Sequence, residues 1–358
     1  MENITHIDEE NVEVFLTGGT GFIGKKLTQV MLDRGWGVRA LVRTPGGANA
    51  QILQKMGAQI LEGDITERDS MRAGMAGTDV VIHTAGVYEL GPDPKTEKRM
   101  TQINIMGTEN VLSLARELGV SRTLHVASVV ALGETGTVMR DETYQRQVPC
   151  KSTYSCTKTE GYQIARQYQA EGEPVVIVNP APVVGVNDHS TFGYALRMYI
   201  NRVLPPVAWS PESIFCCVDV ADLAEGIALA AEKGRDGESY MLTGQSQTLR
   251  EIFQTWKSKP GRFIPRVWLP VPLVLPIFGV LEPIQRMIGL PAVLSRETVR
   301  TVATNMYYSN QKAQRELGWS FRPADVMWHE AIEGEIEMLE KREGQSLVER
   351  LKPLEGIL

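Results

Sequence analysis

Apolar positions in the first half of the chain recur at two different spacings. The runs Val12-Glu13-Val14-Phe15-Leu16 and Gly37-Val38-Arg39-Ala40-Leu41-Val42 are short and almost continuously apolar, as strands covered on both faces must be. Between them, residues 25–34 carry Leu27, Val30 and Met31 at helical spacing and end at Gly35, which predicts an amphipathic helix and its stop. Residues 59–63 and 79–83 predict third and fourth strands, and residues 123–127 a further one. Residues 96–118 predict one long helix, with Ile103, Val111, Leu114 and Leu118 facing inward and Gly119 as its end. Residues 160–169 predict another helix. Strands alternating with helices are the pattern of an α/β fold, a doubly wound parallel sheet with crossover helices on both faces.

Composition narrows the partners more than the fold. The chain has 358 residues, 43% hydrophobic and 22% charged, with a net charge of -6. That is enough to bury a sizeable core, and the charge gives no long-range attraction for nucleic acid or anionic lipid. No run of lysines and arginines stands out, so nucleic-acid binding is not expected. The four cysteines, Cys150, Cys156, Cys216 and Cys217, have no metal-ligand or Cys-x-x-Cys spacing and read as reduced thiols of a cytoplasmic protein. No metal site is expected. Residues 1–10 are polar and acidic and do not read as a signal or transit peptide.

The chemistry begins at Thr17-Gly18-Gly19-Thr20-Gly21-Phe22-Ile23-Gly24, between the first strand and the first helix. Gly18 permits a tight turn, Gly21 close approach of a pyrophosphate, and Gly24 close packing of helix on strand, so that free amides at the helix start face an anion. Arg43 ends the second strand, where an arginine suits a ribose 2′-phosphate and an acidic residue a 2′-hydroxyl. Arg43, helped by Arg39, therefore points to NADP(H), with NAD(H) left open. Asp64 and Ala85-Gly86 end the third and fourth strands on the same edge, beside the adenine and the cofactor backbone. His83, flanked by apolar residues, reads as structural, and so does Asn104 on its helix. Ser128 ends the fifth strand on the ligand edge. Tyr154 and Lys158 share one helical face. A tyrosine pKa of about 10 would need roughly 4 kcal/mol of phenolate stabilisation to reach about 7, part of which the Lys158 ammonium could supply against the opposing effect of burial.

In order and spacing, Thr17 to Gly24, Asp64-Ile65, His83 to Gly86, Asn104, Ser128 and Tyr154 to Lys158 resemble the extended short-chain dehydrogenase/reductase family, the epimerase/dehydratase-like branch. Asn179-Pro180-Ala181-Pro182-Val183-Val184-Gly185, the segment 217–222 and the segment 312–319 resemble its later landmarks. The resemblance implies a Rossmann domain over 12–185 and a smaller α+β substrate domain over 186–345, with 214–244 returning to the sheet and tails at 1–11 and 346–358. It implies a catalytic group of Ser128, Tyr154 and Lys158, with Asn104 assisting through ordered water. It also implies cofactor contacts from Gly18, Thr20, Gly21, Phe22, Ile23, Gly24, Arg43, Asp64, Ile65, Thr84, Ala85, Gly86, Tyr154, Lys158, Pro180 and Val183.

Departures from the family pattern bear on the reaction. Sugar dehydratases carry an Asp-Glu pair after the serine, where this chain has Val129 and Val130. Sugar epimerases place an asparagine near Pro182 and an arginine near Ser213 to hold a diphosphate. Val42-Arg43-Thr44-Pro45 instead resembles dihydroflavonol-type reductases, and the whole also resembles a branch labelled hopanoid-associated sugar epimerases. The expectation is an NADP(H)-dependent reductase of a small apolar ketone or aldehyde. Two alternatives stay open, an NAD(P)-dependent sugar or nucleotide-sugar epimerase and a non-catalytic NADP-binding sensor. Residues 263–278 form the most apolar stretch, too proline-broken to span a membrane. A lid over the substrate is preferred there to peripheral membrane contact through 263–281, because large exposed apolar patches are rare. A closing helix is expected over 324–342 with a frayed tail after it, and a homodimer is left open.

Overall fold

The computed structural model describes residues 12–89, 92–257, 262–287, 295–342 and 344–354. The expected tail at 1–11 and the last residues, 355–358, lie outside these. Seven strands, β1 (Glu13–Thr17), β2 (Gly37–Val42), β3 (Gln59–Glu62), β4 (Val80–His83), β5 (Arg122–Val126), β6 (Val175–Pro180) and β7 (Ser239–Leu242), form one parallel sheet. Their order is β7-β6-β5-β4-β1-β2-β3. Alternate side chains of β1 go to opposite faces: Val14 and Leu16 pack with Leu27 and Met31, while Phe15 packs with Val111 and Leu114. Both faces are therefore covered by helices, which is why the strand runs read as continuously apolar.

The helices that matter for the site are α1 (Phe22–Asp33), α2 (Pro94–Thr101), α3 (Gly107–Leu118), α4 (Thr153–Ala170) and α5 (Val220–Lys233). α5 lies beside α1 with Leu223 and Ile227 in the same core. Further along come α6 (Val271–Met287) and α7 (Ala324–Glu340). A second core, with Leu196, Tyr199, Phe215, Phe253, Trp256 and Trp328, lies outside the sheet. Trp256 meets Phe253 and Trp328 edge to face, the Trp256 and Trp328 centroids 5.3 Å apart. Residues 220–242 supply α5 and β7 to the sheet region, between stretches that build the second core.

Several local expectations are corrected. The long helix over 96–118 is interrupted: Asp93 caps α2, accepting from Thr96 N at 2.7 Å, and a π-helical turn, Gln102–Met106, separates α2 from α3. α4 starts before residue 160, because Ser152 and Ser155 form a reciprocal capping box at its N-terminus that supplies two of the orphan amides there. Cys150 and Cys156 are not free thiols but are joined by a disulfide, the turn into α4 bringing their Cα atoms to 5.2 Å, within bridging distance. Cys216 and Cys217 are free and buried. The described part of the tail after α7 is held rather than frayed, since Arg197 Nε donates to Leu351 O at 2.8 Å and Asn187 exchanges hydrogen bonds with the backbone of Leu354.

Candidate active site

Strand order reverses between β1 and β4, and an open parallel sheet has its ligand crevice where that happens. A cavity of about 910 Å³ opens there. Its sheet side is lined by Gly18, Thr20, Gly21, Phe22, Ile23, Gly24, Arg43, Asp64, Ile65, Thr84, Ala85, Gly86, Ser128, Tyr154, Lys158, Pro180 and Val183. The sequence-predicted residues thus meet around one space, except Asn104.

The turn between β1 and α1 is shaped as a cradle. Gly18 has φ +77°, and Gly21 N donates to Gly18 O at 3.0 Å. A Cβ on Gly24 would lie 2.2 Å from Gly18 O, so only glycine lets α1 sit this close. Gly21 is the N-cap and no side chain caps the helix, which leaves the first amides of α1 for an anion from the cavity. These residues fit the pyrophosphate of a dinucleotide. Arg43, just past β2, is exposed and has no ion pair among the described residues. Arg39 is not beside it: its guanidinium is bound to Glu13 at 3.0 Å and to Ala76 O at 3.1 Å, so the expected help from Arg39 is withdrawn. Asp64 accepts from Thr66 N and Oγ1, both at 2.9 Å.

His83 lies beneath the cradle and is structural. It shares hydrogen bonds with Thr17 Oγ1 at 2.7 Å and Thr108 Oγ1 at 3.1 Å, and its ring stacks on His125. Burial, then the Lys158 charge, pushes its pKa down to about 3.

Ser128 lies two residues past β5 and is the N-cap of a short helix, Val129–Leu132. Tyr154, on the first turn of α4, lines the same cavity as Ser128. One turn on, Lys158 Nζ donates to Val126 O at 3.1 Å, which ties the ammonium to the end of β5. Desolvation pushes Tyr154 up to about 12 and Lys158 down to about 8. The expected descent of the tyrosine toward neutrality is therefore absent in the protein alone, because burial disfavours the phenolate and no charge offsets it.

Asn104 lies behind the cavity wall, in the π turn. Its side chain takes Val87 N at 2.8 Å, gives to Val87 O at 3.0 Å and to Thr157 Oγ1 at 3.1 Å. It fixes the loop after Gly86 against α4. That loop brings a residue the sequence reading passed over: the Tyr88 ring stands edge-on to Tyr154, centroids 4.7 Å apart, with its hydroxyl 3.2 Å from Thr191 Oγ1. No spacing rule ties position 88 to 154, so only the fold shows it. Away from the sheet the cavity is walled by Met198, Trp209, Phe253, Leu269, Val274 and Phe278.

A doubly wound sheet with a glycine cradle and a Ser/Tyr/Lys group at its switch point defines a dinucleotide-dependent oxidoreductase scaffold. The model of the NAD dependent epimerase/dehydratase family matches residues 14–242. The chain belongs to that family and is an NAD(P)-dependent oxidoreductase of the extended short-chain dehydrogenase/reductase type. It is similar to a Synechocystis sp. protein provisionally named dihydroflavonol 4-reductase, 30% identical over 85% of this chain and 89% of that one. It is also similar to a 4-hydroxy-2-methyl-3-oxo-4-farnesyl-3,4-dihydroquinoline-1-oxide ketoreductase of Stigmatella aurantiaca, 29% identical over 87% of this chain and 92% of that one. Among solved structures, gox2253 matches with a TM-score of 0.76 and 30% identity, covering 94% of this chain and 100% of that one. Among the described residues no helix is long and apolar enough to cross a membrane.

Proposed function

We propose that the protein reduces the carbonyl group of an apolar ketone or aldehyde with NADPH. The observation that carries this reading is that Tyr154 and Lys158 on α4 and Ser128 after β5 line one cavity, at the meeting point of a cofactor cradle and an apolar chamber. When bound, NADPH supplies a hydride to the carbonyl carbon and is left as NADP⁺. Tyr154 gives its proton to the carbonyl oxygen, and the product is the alcohol. A tyrosine held at about 12 is protonated at neutral pH and suited to act as an acid. Ser128 hydrogen-bonds the oxygen and fixes its distance from Tyr154. Lys158, protonated at pH 7 with a pKa near 8, would hold the nicotinamide ribose through its ammonium. Asn104 keeps Val87 and α4 in register, a positioning role.

What supports NADPH over NADH is Arg43, an exposed guanidinium without an ion pair among the described residues that lines the cavity just past β2, a position at which arginine suits a 2′-phosphate. The apolar far wall and the absence of a carboxylate after Ser128 favour reduction over sugar chemistry. The Stigmatella relative, named for a farnesyl-bearing ketone, is in line with such a chamber. The test is NADPH oxidation across ketones, aldehydes and nucleotide sugars, with Tyr154→Phe alongside. General acid catalysis contributes about 10²- to 10⁴-fold, so the variant should lose that much turnover and still bind NADPH. Full activity in Tyr154→Phe would remove the tyrosine from the mechanism, and sugar isomerisation without net NADPH loss would replace reduction by epimerisation. Arg43→Asp should lose the preference for NADPH, and a parent with no preference would refute the role of Arg43.

A further inference from the structure

Helix α6 has two apolar faces. Val274 and Phe278 are buried on one side and line the cavity. On the other side Leu273, Val280, Ile284 and Met287 recur at helical spacing and are exposed, Val280 to 64% and Met287 to 85%, while the half-exposed Ile277 also lines the cavity at the edge between the two faces. The expected lid and the expected exposed surface are thus the same helix, which stands between chamber and exterior. The apolar exterior extends beyond it: Val267 pairs with Val207 in a small parallel ribbon, and both are exposed, as is Phe263. Soluble proteins seldom leave such a surface uncovered.

The charge around this surface selects what covers it. Among the described residues, 257–300 carry Lys257, Arg262, Arg266, Arg296 and Arg300 against Glu282 and Glu297, in a chain whose net charge is -6. Arg202, Lys257, Arg266, Arg296 and Arg300 are exposed and have no ion pair among the described residues. Elsewhere arginines such as Arg34, Arg68, Arg72 and Arg116 are ion-paired. Arg296 lies against α6 itself, because a Cβ on Gly279 would fall 2.3 Å from its Nε. In a two-fold pairing of copies this face would meet itself, setting one basic rim against the other. An anionic lipid surface satisfies both features, taking the apolar stripe at the acyl boundary and the arginines at the headgroups. Pro276 and Pro283 lie inside the helix, which suits an element resting on a bilayer rather than crossing it.

We propose that α6 docks this protein on an anionic membrane surface and admits a membrane-dissolved apolar substrate to the chamber behind it. Docking is independent of the reaction, whereas the substrate class rests on the carbonyl-reductase reading. The test is co-sedimentation of the full chain with phosphatidylcholine vesicles, with and without phosphatidylglycerol. The protein should bind the mixed vesicles, release with added salt, and bind about tenfold or more weakly as Val280→Glu/Ile284→Glu, since a charge on each of two inserted positions opposes burial. Neither side chain lines the cavity, so NADPH affinity, thermal midpoint and turnover of a water-soluble ketone should match the parent. Arg266→Glu/Arg296→Glu should lose the preference for anionic vesicles, a second route should the first variant fold poorly. A parent that stays in the supernatant, or undiminished binding by Val280→Glu/Ile284→Glu, overturns the proposal. So does a parent dimer that this variant splits, which would make a second copy the occupant. Turnover of no ketone, with vesicle binding intact, would overturn only the reductase reading and the substrate class.

Discussion

The substitution Gly24→Ala tests the cofactor cradle with a single methyl group. The added carbon would sit 2.2 Å from Gly18 O, 2.6 Å from Gly19 Cα and 2.8 Å from Gly18 C. Non-bonded carbons and oxygens approach to about 3.5 Å, so the turn or the helix must withdraw by more than 1 Å at a place built from backbone. The Gly18 carbonyl also accepts from Gly21 N at 3.0 Å, and moving it loosens the bond that shapes the turn. Forced overpacking costs about 1–3 kcal/mol. If that strain falls on the cofactor-binding turn, at 1.4 kcal/mol per tenfold, NADPH binds roughly 5- to 150-fold more weakly. The assay is NADPH fluorescence titration beside a thermal melt, with Gly46→Ala as control because a Cβ there meets nothing within 4 Å. A Gly24→Ala protein that melts earlier but binds NADPH as tightly as the parent would refute the cradle.

Other consequences follow from the same geometry. With NADPH saturating, the reduction rate should fall as pH rises through about 8, where Lys158 loses its proton, while Tyr154 near 12 stays protonated; a rate flat to high pH would remove the Lys158 charge from the mechanism. His83 and His125 are buried and held neutral, His83 near 3 and His125 also far below its ordinary value. The unfolded chain takes up their protons below about pH 6.5, so stability declines as pH falls, by roughly 3 kcal/mol for the pair at pH 5.5. Urea midpoints at neutral and acid pH should show it, and His125→Phe should flatten the dependence. Reducing Cys150–Cys156 opens a short loop at the start of α4, worth about 2 kcal/mol in the chain-entropy account. A thermal midpoint unmoved by reductant would show that the bond does not form.

The sequence by itself determined the first five strands of the sheet, the phosphate turn and the Ser128, Tyr154 and Lys158 positions. These depend on local rules: continuous apolar runs for doubly covered strands, glycine where backbone meets backbone, and fixed spacing along one helix. Strand ends lie on one edge of a parallel sheet, so residues distant in sequence could be assigned to one crevice before any contact was seen. Charge commitments were not legible in this way. Arg39 and Arg43 lie close together in sequence, yet pairing with Glu13 takes Arg39 away and leaves Arg43 for the cavity. The Cys150–Cys156 bond depends on how the chain turns into α4, and Tyr88 meets Tyr154 only because Asn104 pins the loop between them. The apolar stretch in α6 predicted burial, but composition cannot say which face is covered. Only the packing decided that one side closes the chamber while the other is left exposed, because burial is a property of neighbours and not of the residue.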